Sequence, residues 1–531
     1  MNAGAHSQLE ETSPAQGAVL GAAPTEIRLR FNEDVAIGSG AVRVLDSSGD
    51  PVDVGAAVHP GGDGKVVAAG LPELPDGQYV VGWKATSADT HPVSGAFVFT
   101  VGSAAPAGSV RGLLQNVLDQ EGGSAWVAVS FLVVRTIAFL ATAVLVGGAA
   151  LSLFGMRIAN GRATMLRAPY RWSGWAGVIS AVAGFLLQGP YSSGGSLSSM
   201  FSPSTWSDAV GITGGWLWLV RAGFCGLALV IIGRIRSFGE PPEVGGLEVA
   251  GGVAVAVGLC AAIAGSGHSI AGPWPVGAFA LDLVHLLSMG MWIGGLVLVV
   301  SALWGRDRSD DDELRPLVDR FSLLALVGVA AIVASGVAQS FRQLGEFGQL
   351  TTTDYGRLLI LKVILVGLMV SLGWFGRIVL RGVEGGAALT HLRRSVFAES
   401  VVAVVVLGVT SVLSTTVPAR DQIAQPFNRT IVDEAQFVNV TVSPARVGAN
   451  ELHVTVTPAI TQGVNIAEIK VTITLPEADL GPIEVPTQVI TANHVTTETA
   501  QFPTPGTWDV KVAVRYGEFD IKTTTAEVLI R

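Results

Sequence analysis

Asp282, His285 and Met289 are three chemically distinctive side chains within one apolar stretch. The stretch, residues 265–296, reads GSGHSIAGPWPVGAFALDLVHLLSMGMWIGGL. An apolar helix ends at Gly-Ser-Gly with His268 following, a Pro-Trp-Pro turn comes next, and a second apolar helix carries the three residues. An ionisable group inside a membrane helix costs about 2.5–3.5 kcal/mol at mid-bilayer, which makes each one a functional candidate. At about 100° per residue, Asp282, His285, Met289, Trp292 and Leu296 share a stripe about 80° wide, with Met291 on the opposite side. Imidazole and thioether on one face suit copper, Cu(I) above all. The same residues also fit a histidine hydrogen-bonded to a neighbouring helix, with methionine filling the core.

The elements that position these residues follow from composition and hydropathy. The chain has 531 residues, of which 49% are hydrophobic and 14% charged, and its mean hydropathy is +0.52. That is membrane-protein composition, with length left over for soluble domains. The net charge of −9 is dispersed and no basic run points to nucleic acid. Eight segments are long and apolar enough to be read as spans, near residues 126–154, 172–190, 214–235, 249–267, 276–304, 321–341, 358–380 and 396–417. Arginines cluster after the first, third, fifth and seventh, as at Arg157, Arg162, Arg234, Arg306, Arg393 and Arg394. The positive-inside rule then predicts both termini outside the cell membrane. In that topology His268 lies at an outer mouth and His285 roughly 15 Å into its span. Arg135, Arg221 and Lys362 fall in the outer halves of their spans, where they could pair with Asp282, line an anion cavity or hold haem propionates above a His285-bound iron. Glu399, nearer the inner side, suits a proton relay or an answer to one of those cations.

On either side of the spans the pattern changes to alternating short runs. Residues 27–31, 41–45, 79–83 and 96–99 alternate between Gly, Pro and Asp clusters, as expected of a small antiparallel barrel or sandwich. Residues 102–109 (GSAAPAGS) read as linker. Residues 438–442, 452–456, 469–473 and 508–512 predict a second sandwich near the C-terminus. Its histidines, His453 and His494, are distant in sequence without companion ligands, and are expected to be structural. Cys225 and Cys260, the only cysteines, lie in apolar segments, so neither a disulfide framework nor a structural zinc site is expected.

The N-terminal segment resembles the CopC family of periplasmic copper-binding proteins. The matching residues are Ser13-Pro14-Ala15 with Gly17, Ala23-Pro24, Leu29-Arg30-Phe31-Asn32-Glu33 and, above all, the run from Trp83 to Gly95, WKATSADTHPVSG. The resemblance implies that Cu(II) is held by the amine and imidazole of His6, which follows an Ala-Gly-Ala, together with Asp89 and His91. Asp-x-His on a strand puts carboxylate and imidazole on one side, and nitrogen and oxygen donors suit tetragonal Cu(II). With residues 1–5 attached the His6 amine is a peptide nitrogen and half of that chelate is lost. Residues 7–105 hold no Met, so the Met-rich Cu(I) site of some members is not expected, and His59 reads as a surface histidine. The membrane core resembles the CopD family through His285-Leu286-Leu287, Met291-Trp292-Ile293-Gly294-Gly295-Leu296 and Tyr355-Gly356-Arg357-Leu358-Leu359 leading to Lys362. The tail, with Pro505-Gly506-Thr507-Trp508, resembles small YtkA-like domains.

Together these readings predict a CopC-like all-β Greek-key domain over 6–102, a linker over 103–125, an eight-helix CopD-like bundle over 126–417 and a YtkA-like β-sandwich over 430–531. The expected function is capture of Cu(II) outside the cell and its transport inward, by a non-enzyme. His6, Asp89 and His91 form the outer site, and His268, Asp282, His285 and Met289 the membrane path. Copper, the lipid bilayer and extracytoplasmic copper chaperones are the expected partners. A haem-bearing protein that reduces copper, and a membrane-anchored copper sensor or store, are the alternatives. The absence of a phosphate-binding Gly-rich loop and of a membrane Cys-Pro-Cys argues against an ATP-driven pump in this chain.

Overall fold

A computed structural model describes residues 7, 9–14, 18–38, 40–87, 92–102, 124–153, 163–235, 246–267, 269–270, 274–303, 311–345, 347–382, 386–420, 427–432, 436–458 and 466–530. Ser124–Ala419 forms one compact unit and the flanking β segments fall in another.

The N-terminal segment contains β1 (Leu9–Ser13), β2 (Val19–Leu20), β3 (Glu26–Phe31), β4 (Val42–Leu45), β5 (Pro51–Val52), β6 (Val66–Gly70), β7 (Gly77–Thr86) and β8 (Pro92–Val101). Among the described residues they form two sheets, ordered β1-β3-β6 and β2-β8-β7-β4-β5. Alternation does the sorting: Ile27, Leu29 and Phe31 of β3 point inward while Arg28 and Arg30 point out. They meet Val44, Trp83, Phe97 and Phe99 in one core, with Phe31 edge-on to Trp83 at 5.5 Å between centroids.

The helical unit starts with α1 (Ala125–Leu153) and α2 (Ala163–Ser193), followed by the short α3 (Pro203–Gly211). Next come α4 (Thr213–Ile235), α5 (Gly246–Ala264) and α6 (Pro275–Met289). A π-helical turn over Gly290–Gly294 joins α6 to α7 (Gly295–Leu303). Then follow α8 (Asp311–Leu344), the single turn α9 (Gln349–Thr352), α10 (Asp354–Gly382) and α11 (Gly386–Leu413). Among the described residues seven helices are long and apolar enough to cross a membrane, where the sequence suggests eight. The helix outside the seven is α2: it has 31 residues, but Trp172, Ser173, Trp175, Ser180 and Gln188 dilute its apolar character.

Glycine-mediated close packing explains the Met-Trp-Ile-Gly-Gly run. A Cβ on Gly294 would fall 1.8 Å from the Ala143 carbonyl oxygen, and one on Gly147 would fall 2.4 Å from the Gly294 carbonyl carbon. Gly294 thus lies backbone to backbone against Ala143 and Gly147, which are four apart, while Gly290 makes room for the Val146 side chain, the close approach that small residues allow between membrane helices.

The C-terminal segment contains β9 (Phe427–Val432), β10 (Gln436–Ser443), β11 (Gly448–Pro458), β12 (Ile466–Leu475), β13 (Leu480–Val485), β14 (Gln488–Thr491), β15 (His494–Phe502), β16 (Gly506–Tyr516) and β17 (Asp520–Ile530). Its sheets run β14-β15-β11-β10-β9 and β13-β12-β16-β17 around a core centred on Trp508, which is fully buried against Phe502.

Candidate functional site

His6, Asp89, His91 and His268 lie outside the described residues. What the structure shows is the frame around the first three. Strands β7 and β8 pair antiparallel from Gly77↔Val101 up to Thr86↔Pro92, and Asp89 and His91 fall in sequence between these last two paired residues. Trp83 is opposite Gly95 in the register, and a Cβ on Gly95 would come 2.7 Å from the indole ring. The tryptophan and glycine of the signature therefore belong together: the ring covers the strand only where no side chain stands. Ser87 sits just past the ladder and is buried. Its hydroxyl donates to Glu33 Oε1 at 2.6 Å and accepts from the Ser7 backbone N–H at 3.2 Å. One side chain thus ties the neighbour of His6 to the segment that leads into Asp89. Glu33 and Ser87 were not among the residues the sequence suggested; the only hint was their place in the two matched motifs.

In the helical unit α6 packs against α8, and Lys362 of α10 lies within electrostatic reach of Asp282 and His285. His285 Nδ1 lies 3.0 Å from Ser335 Oγ on α8. The Ser335 hydroxyl spends its proton on the Ala331 carbonyl at 2.6 Å, so it accepts from the ring. This assigns the proton to Nδ1 and leaves the Nε2 lone pair for another partner. Gly336 makes room for the ring, whose Cε1 lies 3.5 Å from where a Cβ would be. Asp282 has Ser269, Lys362 and Arg342 as its electrostatic neighbours, and Lys362 also acts on His285. No ion pair within 4.0 Å joins Asp282 to Lys362 among the described residues. Asp282, His285 and Lys362 are therefore brought together, with Ser269 beside them.

The remaining predicted residues lie elsewhere. Met289 packs against the apolar cluster around Trp292, Ile293 and Leu296. The π turn breaks the uniform 100° wheel just after it, because an i→i+5 turn takes up an extra residue. Met291 consequently reaches α8, its methyl 3.0 Å from a Cβ built on Gly328, which corrects its expected place away from His285. Glu399 is buried on α11 beside Ser395, 3.3 Å from a Cβ on Gly373 of α10. Arg135 and Arg221 are neighbours of each other and not of Lys362. Arg135 donates to Ser414 at 3.1 Å and lies 4.8 Å over the Phe131 ring. Arg221 donates to the Ala262 carbonyl at 2.9 Å and to Ser266, and lies 4.4 Å over Trp218.

His453 and His494 depart furthest from expectation. Although 41 residues apart in sequence, their nitrogens approach to 3.2 Å, Nδ1 of His453 to Nε2 of His494. The antiparallel pairing of β11 with β15 sets Thr455 opposite His494 and His453 opposite Thr496, so the two rings are diagonal neighbours on one face. Sequence separation hid this contact. Among the described residues no group of three or more His, Cys, Asp or Glu converges as a metal cage.

A β-sandwich joined to membrane-length helices that enclose an Asp–His–Lys cluster defines a multi-pass membrane protein with an attached soluble domain. The CopC domain family matches residues 9–102, the copper resistance protein D-like N-terminal domain matches 124–276 and copper resistance protein D matches 315–413. The chain belongs to the CopC–CopD copper-resistance family. It is 28% identical over 470 residues to the copper transport protein CutJ of Bacillus subtilis (strain 168), covering 85% of this chain and 82% of that one. Copper resistance protein C of Escherichia coli is 39% identical over 104 residues, 18% of this chain and 82% of its own. Copper resistance protein D of Pseudomonas syringae pv. tomato is 33% identical over 221 residues, 38% of this chain and 68% of its own. Copper is thus the metal of this family, and the apolar helices make the chain a membrane protein.

Proposed function

We propose that this protein captures Cu(II) outside the cell membrane at His6, Asp89 and His91 and carries copper inward through the helical unit. The observation that supports it most is the His285 imidazole, fixed by Ser335 so that Nε2 is a lone-pair nitrogen, one helical turn from Asp282 on α6. A membrane-embedded neutral imidazole with an oriented lone pair is a copper ligand by chemistry. His268, next to Ser269 and so close in sequence to the Asp282 neighbourhood, serves as the outer station, and Met289, a turn beyond His285, as the thioether station. Inward transport follows from the placement of the capture domain outside, which rests on α2 as an eighth span. Trp172, Trp175 and Ile179 of α2 are exposed while Ala181 and Leu187 are buried, as expected of a helix with one face toward lipid. The tail's resemblance to YtkA-like domains adds no role to this reading.

The test is copper flux into proteoliposomes. His285→Ala should abolish flux and leave Cu(II) capture intact, and Met289→Leu should lower flux. Tags after Gly102 and at the C-terminus should report from the same side. Unchanged flux in His285→Ala overturns the path. A Soret band lost in that variant hands the site to haem.

A further inference from the structure

The outward face of the C-terminal sandwich carries a side-chain cluster that the transport reading does not use. Along β11 the core takes Leu452, Val454 and Val456, all fully buried, so the alternate residues Glu451, His453 and Thr455 face out. His453 then meets two partners at once. Its Nε2 lies 2.7 Å from Glu451 Oε1 and its Nδ1 lies 3.2 Å from His494 Nε2. An ionised carboxylate only accepts, so Glu451 holds the proton on Nε2 and leaves Nδ1 with its lone pair directed at His494. A carboxylate on the far nitrogen is the arrangement that orients and strengthens histidine ligands in metal sites.

We propose that His453 Nδ1 and His494 Nε2 form a second extracytoplasmic copper site, taking one Cu(II) with solvent completing its coordination and Glu451 positioning His453. The distance excludes linear two-coordinate Cu(I), and the choice of Cu(II) rests on the affinity order of the divalent metals. With metal–nitrogen bonds of about 2.0 Å, a separation of 3.2 Å corresponds to a bite angle of about 105°, whereas linear two-coordinate Cu(I) would need about 4 Å. Cis imidazoles with open positions for water suit tetragonal Cu(II), which also leads the divalent metals in affinity. The rings are free to turn the small amount that points both lone pairs at one ion: the His453 side chain is 37% exposed, and χ2 of histidine is broad. The arrangement does not depend on the transport activity of the helices.

The test uses the full chain in detergent with His91→Ala to silence the outer site, so a failed transport reading does not disturb it. Cu(II) titration followed by electron paramagnetic resonance should show an equivalent that disappears in His453→Asn and in His494→Asn. Glu451→Gln, which keeps the strand but loses the oriented proton, should weaken that equivalent about 10- to 100-fold. Cu(II) should also protect both histidines from diethyl pyrocarbonate in peptide mass maps. Melting curves that match the parent confirm that the variants fold. Stoichiometry unchanged in both histidine variants, or no protection, overturns the site. Zn(II) filling it as tightly as Cu(II) overturns its assignment to copper.

Discussion

Ser87→Ala isolates the link between the two halves of the proposed outer copper site. Two of the Ser87 hydrogen bonds bear on the site. The Ser7 N–H loses a neutral acceptor at 3.2 Å and Glu33 loses a charge-assisted donor at 2.6 Å. The second is the stronger, about 1.5–3 kcal/mol, and it belongs to stability because Glu33 is no proposed ligand. The first bears on copper. Ser7 is buried and adjacent to His6, so untying it makes copper binding order the chain start as well as coordinate the metal. A neutral hydrogen bond contributes about 0.5–1.5 kcal/mol, which becomes about a 2- to 13-fold rise in Kd. The assay is competition between the full chain, prepared to begin at His6, and a Cu(II) chelator, with a melting curve alongside. Glu33→Gln keeps the Ser7 contact, so it should lower stability and leave Kd nearly unchanged. An unchanged Kd in Ser87→Ala would refute the tether. A loss as large as that in His91→Ala would refute it too, since it would make Ser87 a ligand.

Gly294→Ala places a Cβ 1.8 Å from the Ala143 carbonyl oxygen, and backbone cannot give way there as a flexible side chain can. Overpacking of this kind costs about 1–3 kcal/mol or more, so thermal unfolding in detergent should show a clear drop, while Gly226→Ala, with nothing within 4 Å of its Cβ, should not. Asp282→Asn removes the carboxylate that offsets Lys362 near His285, and copper flux should fall; Lys362→Met in the same chain should restore part of it. If the double variant is no better than the single one, Lys362 does not oppose the copper ion.

The sequence was informative where structure repeats with a fixed period. Strand β3 alternates in residue type and alternates in burial, and the long apolar runs became helices for the same reason. It was informative also where a motif is local, as with Trp83 and Gly95, whose contact explains their spacing. It failed where a period changes or a contact spans the chain. The wheel through residues 282–296 assumed one rise and one twist, and the π turn at Gly290–Gly294 shifted the phase that placed Met291. The Ser87–Glu33 bond joins positions 54 apart and the His453–His494 pair positions 41 apart. Neither follows from composition, because each depends on which strand lies beside which and in what register.

The intramembrane cations illustrate what geometry adds. Taken from sequence, Arg135, Arg221 and Lys362 form one set of cations in the outer halves of their spans. In the structure they separate by the company they keep. The arginines donate to Ser414, Ser266 and the Ala262 carbonyl, and their flat faces cover Phe131 and Trp218, so they join α1, α4, α5 and the end of α11 as packing elements. The buried Nε of Arg221 has no partner among the described residues. Of the three only Lys362 shares its surroundings with Asp282 and His285, where Arg342 also acts on Asp282. A guanidinium held by ring faces and carbonyls needs no anion to be stable, whereas an ammonium in apolar surroundings needs its carboxylate nearby. The carboxylate that answers Lys362 is therefore also the charge that would make a cation tolerable at His285, which ties the stability of α10 in the bundle to the chemistry of α6.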